Sequence, residues 1–196
     1  MPGRTAIGAI LMAWSSALLA QEGPLIEEII VTAQRMEESA SKVPIALNAF
    51  TDPMLEDRQI VALADLQIHS PNLNYTTNNV GDMNISVRGV GSLVSVNDGE
   101  SGVSLHLNEM PLAPGQPPIE LYDVQRLEVL RGPQGTLYGR NATGGAINII
   151  TNKPNFEGIR GYLDAEAGNY DLIRVRGALN LPLGDAVALR LSLIHI

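Results

Sequence analysis

The residues best placed to do chemistry lie between Asp123 and Thr151, where glycines stand at Gly132, Gly135, Gly139, Gly144 and Gly145. A glycine-dense stretch can cradle a phosphate through its backbone N–H groups. The spacing excludes that use. No Lys-Ser or Lys-Thr follows Gly144-Gly145, as a Walker loop requires, and a dinucleotide fingerprint fails on its glycine intervals. The remaining reading is conformational: glycine allows tight turns, and it allows close approach of backbone where a side chain would clash. Arg88, Glu128 and Arg131 are charges set among apolar neighbours beside these glycines. Charges in such surroundings must find partners, because a buried unpaired charge is costly. Glu128 with Arg131, three residues on, is the local candidate.

Other chemistries find no residues to carry them. The chain has no cysteine, which removes disulfides, thiolate zinc sites and a cysteine nucleophile. Gly-x-Ser-x-Gly does not occur, and no paired histidines stand with a carboxylate at metal-binding spacing. His69 and His106 are isolated, which favours structural or solvated roles, and His195 carries no assigned role. No enzyme, resident cofactor or metal is expected. A formal net charge of -8 also argues against nucleic acid, which requires clustered Lys and Arg.

The elements that hold these residues follow from pattern. Arg4 is the only charge before Glu22, and residues 6–19 are largely apolar but too few to cross a membrane as a helix. With the polar Gln21-Glu22-Gly23-Pro24 behind them, residues 1–20 read as an export signal, Ala17 or Ala20 offering the small residue for cleavage. A buried N-terminal helix is the alternative. Residues 26–35 have a β-branched centre and prefer extended backbone. Such a strand is completed by another protein's sheet edge or opens the next domain, and the residues leave both open.

Residues 43–50 predict a strand, and Asp52 a cap for a helix beginning at Pro53. Met54, Leu55, Ile60, Leu63 and Leu66 suggest two short helices meeting near Val61, stopped by Ser70-Pro71-Asn72. Strands are expected at 85–89, 103–107 and 146–151, and a compact apolar-charged element at 124–131. Loops rich in glycine or proline lie at 91–102 and 111–118. Short strands and helices with long loops make an α+β pattern.

From Gly161 onward the period becomes two. Leu163, Ala165 and Ala167 alternate with Asp164 and Glu166. Ile173, Val175, Leu179 and Leu181 oppose Arg174, Arg176, Ala178 and Asn180, and Val187, Leu189, Leu191 and Leu193 oppose Ala188, Arg190 and Ser192. Three segments of about ten residues with this alternation fit transmembrane β-strands. A soluble sheet with one wet face is the alternative.

The run from Asp123-Val124-Gln125-Arg126-Leu127-Glu128-Val129-Leu130-Arg131-Gly132-Pro133 to Gly144-Gly145-Ala146-Ile147-Asn148-Ile149 closely resembles the plug signature of TonB-dependent outer-membrane receptors. Gln125 and Leu127 replace the family's commoner residues. Ser70-Pro71-Asn72-Leu73 and Ile85-Ser86-Val87-Arg88-Gly89 resemble its Pro-x-Leu turn and Arg-Gly step, and Ile29-Ile30-Val31-Thr32-Ala33 resembles its Ton box. The likeness spans residues 26–193.

The resemblance implies a fold class: an α+β plug domain, a small mixed sheet with short helices, followed by the first antiparallel strands of a transmembrane β-barrel that continues beyond this chain. Boundaries follow as signal 1–20, Ton box and linker 21–42, plug 43–155 and barrel strands 156–196. It implies energised uptake of a scarce ligand across the cell outer membrane, most commonly a ferric siderophore, driven by TonB and its inner-membrane complex and set among outer-membrane lipid. Glu28, Ile29, Ile30, Val31, Thr32 and Ala33 would bind TonB. Arg88, Glu128 and Arg131 would latch the plug to the barrel. Gly89, Gly132, Gly135, Tyr138, Gly139, Gly144 and Gly145 would form plug turns, and Asn97, Asp98, Glu100 and Gln116 would face the ligand. A plug-like periplasmic binding or signalling module without transport is the alternative.

Overall fold

The computed structural model describes residues 28–77, 81–91, 101–113 and 119–195. The strands before the long loops are β1 (Ile30–Val31), β2 (Glu38–Ser39), β3 (Ala46–Thr51), β4 (Leu73–Thr77), β5 (Met83–Val87) and β6 (Val90–Gly91). After them come β7 (Val103–Leu107), β8 (Met110–Pro111), β9 (Val124–Arg131), β10 (Gly145–Thr151), β11 (Arg160–Ala167), β12 (Ile173–Pro182) and β13 (Ala188–His195). The helices are α1 (Asp52–Asp57), α2 (Leu66–His69) and α3 (Gly135–Tyr138), with a 3-10 turn at Leu63–Asp65.

A five-stranded mixed sheet in the order β3-β9-β10-β7-β8 organises the first domain. β9 pairs antiparallel with β3 and β10, whereas β10 pairs parallel with β7. The two inner strands are near-continuous apolar runs because both of their faces are covered. On one face Leu127, Val129, Ile147 and Ile149 pack with Leu55, Leu63 and Leu66 from the helices and with Leu73, Ile85 and Val87 from the small β4-β5-β6 sheet. On the other face Leu130 and Ala146 meet Val31, Ala33 and Val43 from the N-terminal segment, together with Tyr138 and Ala142. The N-terminal segment therefore closes one side of the core.

Local signals that rest on proline hold. Pro53 lies in the first turn of α1, and α2 ends at His69 with Ser70 as its C-cap, directly before Pro71. The expected cap is corrected by one position: Thr51 is the N-cap residue, with extended backbone and no side-chain cap bond, and Asp52 is already helical. Neither β4 nor α3 follows from the sequence pattern. β4 buries only Leu73 fully, so it shows no clean alternation, and α3 is a single turn inside a glycine-dense segment.

β11, β12 and β13 form a separate antiparallel meander. Leu163, Ile173, Leu179, Leu189, Leu191 and Leu193 are exposed on its outer face, Leu163 at 79%. The opposite face carries Asp164, Arg174, Arg176 and Arg190 toward the first domain, as the alternation predicts. Among the described residues no helix is long and apolar enough to cross a membrane.

Candidate functional site

Residues 28–35 and the face beneath them form the first part of the site. β1 pairs with β2 through Ile30–Ser39 and Val31–Glu38, and Ala40 N–H donates to the Ile29 carbonyl at 2.8 Å. The strand's sequence leaves two readings open; here its partner edge is supplied by the chain itself. Val31 and Ala33 are fully buried, while Glu28 is exposed and Ile30 is 43% exposed. Thr32 N–H donates to Glu128 Oε1 at 2.7 Å, and its hydroxyl reaches the same oxygen at 3.3 Å. Tyr138 donates its hydroxyl hydrogen to the Ala33 carbonyl at 3.2 Å. Arg35 Nε donates to the Leu137 carbonyl at 2.9 Å, and its guanidinium lies over the Tyr138 ring.

That seat stands on a polar row crossing the sheet. Ala49, Glu128, Asn148 and His106 are consecutive neighbours on β3, β9, β10 and β7, and the last three are buried. Glu128 takes its counter-charge from Arg126, whose Nε donates at 2.9 Å, and Arg126 Nη2 also donates to the Thr32 hydroxyl at 3.2 Å. Glu128 Oε2 and both amide atoms of Asn148 are buried without a protein partner among the described residues. His106 bonds Ser104 through Nε2 at 2.7 Å and meets Tyr138 edge-on at 4.9 Å between ring centroids. Burial pushes the His106 imidazole below its ordinary pKa. Burial, then the nearby Glu128 charge, pushes Tyr138 up to about 12, so its hydroxyl stays a donor to Ala33.

The alternative pairing of Glu128 with Arg131 does not form. Residues three apart adjoin on a helix but face opposite ways on a strand, and 124–131 is a strand. Arg131 Nη2 instead donates to Asn48 Oδ1 at 3.0 Å, and its Nε is buried without a partner among the described residues. Arg88 is exposed in the left-handed region at φ 55, its guanidinium beside Gly132. Gly89 and Gly132 lie at φ 78 and φ 108.

Two of the turn glycines are required for different reasons. A Cβ on Gly145 would stand 2.3 Å from the Leu130 carbonyl oxygen, so here the backbone approach is what excludes a side chain. Gly139 has open space around it but lies at φ 79, which side chains rarely adopt. A Cβ on Gly144 would meet the Val90 carbonyl oxygen at 2.7 Å, while Gly135 opens α3 with nothing within 4 Å of its Cβ position.

The second part of the site is the contact between the first domain and the β11–β13 sheet. Arg174 bridges Glu120 at 3.2 Å and Glu166 at 2.8 Å, and Arg176 bridges Asp164 at 2.9 Å. Arg190 donates through Nε to Asp123 at 2.8 and 3.1 Å and through Nη2 to the same carboxylate, which also accepts from Ser192 and, at 3.0 Å, from Asn152 Nδ2. Burial opposes the Asp123 charge, yet the Arg190, Ser192 and Asn152 hydrogen bonds outweigh it and hold the carboxyl below its usual pKa. Beside this contact lies a cavity of about 770 Å³ whose lining includes Asp52, Glu56, Asp164 and Arg176. Asp52 is raised by burial and then by the charges of Glu56 and Asp123.

Alternation places Arg174, Arg176 and Arg190 on the inner face, but no pattern in the chain names Glu120 and Asp123 as their partners. Asn97, Asp98, Glu100 and Gln116, expected to face a ligand, lie outside the described residues, as does the expected signal at 1–20.

Comparison with known proteins bears on both parts. The family model described as TonB-dependent Receptor Plug Domain matches residues 39–146. The pesticin receptor of Yersinia pestis is 34% identical over 184 residues, covering 92% of this chain and 26% of the relative. The iron-regulated outer membrane virulence protein of Vibrio cholerae is 33% identical over 150 residues, covering 71% of this chain and 22% of that protein. The crystal structure of the ferric yersiniabactin uptake receptor from Yersinia pestis superposes with a TM-score of 0.70 at 33% identity, over 80% of this chain and 25% of that one. The chain thus spans about a quarter of the length of the relatives it matches.

Proposed function

The chain belongs to the TonB-dependent receptor plug family, and on that premise we propose that it is the N-terminal part of an outer-membrane receptor that takes up a ferric siderophore with energy delivered through TonB. In this reading residues 1–20 direct export, 21–42 carry the Ton box and its linker, 43–155 are the plug and 156–196 begin the barrel. One observation carries it: a sheet with leucines exposed on one face and arginines on the other stands against a plug-family domain, arginines inward. A lipid-facing wall around a polar lumen has that arrangement. The iron-regulated relative and the ferric yersiniabactin receptor support an iron-chelate cargo.

Ligand would bind at the outer face, where loops 91–102 and 111–118 are proposed to contribute Asn97, Asp98, Glu100 and Gln116. Glu28 to Ala33 would then reach TonB, which adds a strand to them. Backbone hydrogen bonds dominate strand addition, so proline should disrupt it far more than alanine. Arg88 and Arg131 would reserve their charge for barrel strands beyond β13. Glu128, already engaged by Thr32 and Arg126, would latch the coupling segment rather than the wall.

The test uses the full-length receptor. Ile30→Pro should abolish binding to the TonB C-terminal domain and ferric-siderophore uptake, while Ile30→Ala only weakens them. Wild-type binding and uptake by Ile30→Pro would remove the Ton-box assignment, and with it the energised mechanism.

A further inference from the structure

Among the described residues two ion pairs join the plug to the wall, and we propose that the more buried of them, Asp123 with Arg190, anchors the plug in the barrel while the coupling segment is pulled. The inference rests on the transport reading above.

Asp123 sits at the head of β9 with φ 51, and its side chain is 4% exposed. Arg190 grips it through two guanidinium nitrogens, the fork-like geometry that suits a carboxylate. Asn152 fixes the corner from the plug side, donating its amide to the carboxylate and its backbone N–H to the Asp123 carbonyl at 2.9 Å. The plug offers Asp123 no cation of its own among these contacts. Its neighbour across the cavity is Asp52, whose carboxyl is raised partly by Asp123. Detachment therefore strands a carboxylate beside another carboxylate and leaves Arg190 without its partner. Removing one member of a buried pair is far more disruptive than losing an exposed one.

The second pair is weaker on the same grounds. Glu120 is 30% exposed, and it shares Arg174 with Glu166 of the wall. The coupling segment is held elsewhere on β9, at Glu128. Five residues of strand separate the two carboxylates, on the order of 17 Å. A pull on residues 29–33 acts first on the Glu128 seat and leaves the Asp123 contact to retain the plug.

The test is TonB-dependent leakage in cells making the full-length receptor. Asp123→Asn keeps the shape and removes the charge, shifting the attached-to-detached ratio on the order of a hundredfold. Sensitivity to vancomycin, which the intact outer membrane excludes, should rise in cells with functional TonB. It should stay at the wild-type level in cells lacking TonB, and Ile30→Pro in the same chain should suppress it. Equal leakage with and without TonB would mean a plug that never seats, and would overturn the anchor. Wild-type exclusion in both backgrounds would overturn it as well. Should Asp123→Asn fail to reach the outer membrane, Arg190→Lys, which keeps the charge and loses the fork, enters the same assay, where the same two results would overturn the anchor. Uptake by Ile30→Pro alone tests the transport reading separately, so the two ideas fail on different measurements.

Discussion

Replacing Glu128 by glutamine should loosen the seat of residues 29–33 without emptying the core. Glutamine keeps a carbonyl oxygen for Thr32 N–H and nearly the same volume, but it removes the charge from two short bonds, Thr32 N–H at 2.7 Å and Arg126 Nε at 2.9 Å. A hydrogen bond to a charged group contributes about 1 kcal/mol more than a neutral one. Of the bonds that Glu128 makes, those to Thr32 cross the seat directly, with Arg126 Nη2 adding a link to the Thr32 hydroxyl. The docked state should therefore lose about 1–2 kcal/mol, which multiplies the undocked fraction by roughly 5–30. Side-chain exposures of 0% for Glu128 and 11% for Arg126 mean that solvent screens little of this. Val31→Cys provides the readout, since Val31 is fully buried when docked. In the full-length receptor the maleimide labelling rate at Cys should rise by that factor in the Glu128→Gln background. Both proteins carry the same Val31 substitution, so its own cost cancels in the ratio. An unchanged rate would refute the idea that the Glu128 charge holds this segment.

Three further outcomes are expected. Gly145→Ala should cost about 1–3 kcal/mol or prevent assembly, because its Cβ would stand 2.3 Å from the Leu130 carbonyl oxygen between two paired central strands; thermal melting of the purified receptor measures it. Leu163→Lys, at an outward position 79% exposed, should lower the yield of membrane-inserted receptor by a penalty of about 2–4 kcal/mol at the bilayer midplane, whereas a soluble sheet would tolerate it; fractionation of outer membranes decides between the two. The pKa of His106 is depressed by burial, so the unfolded chain binds the proton that the folded one refuses. Stability should then fall as pH drops below the ordinary histidine value near 6.5, and His106→Asn should flatten the melting temperature between about pH 7 and 5.

Most of the fold is legible in the chain because its signals are local. Proline places α1 and ends α2, period-two alternation places β12 and the inward arginines, and an apolar run places β10. Glu128 shows where local reading stops. Its spacing to Arg131 suggests a pair, but the strand turns the two side chains to opposite faces, and the partner is Arg126 two residues back. The bond from Thr32 spans 96 positions in the chain, and those from Arg190 to Asp123 span 67. Neither leaves a local trace, since each end alone is an ordinary polar residue on a strand or corner. β4 escapes for a related reason: it buries one side chain fully and is defined by pairing with β5, which is a property of two segments.

The same strand serves both contacts, and that bears on how a pull is resisted. Glu128 faces the N-terminal segment on one side of the sheet, while Asp123 at the strand's head meets Arg190 of the β11–β13 sheet. Between them β9 is paired on both edges, with β3 and with β10. Its backbone cannot slide without breaking ladders on two sides. Residues 29–33 have no such support among the described residues, where β1 is two residues long and pairs with the equally short β2. A force applied at residues 29–33 therefore meets a short hairpin and a few side-chain bonds first, and a doubly paired strand with the Asp123–Arg190 contact second. That order follows from the hydrogen-bond topology alone, and it requires the Thr32 contact to open before the Asp123 contact feels the full load.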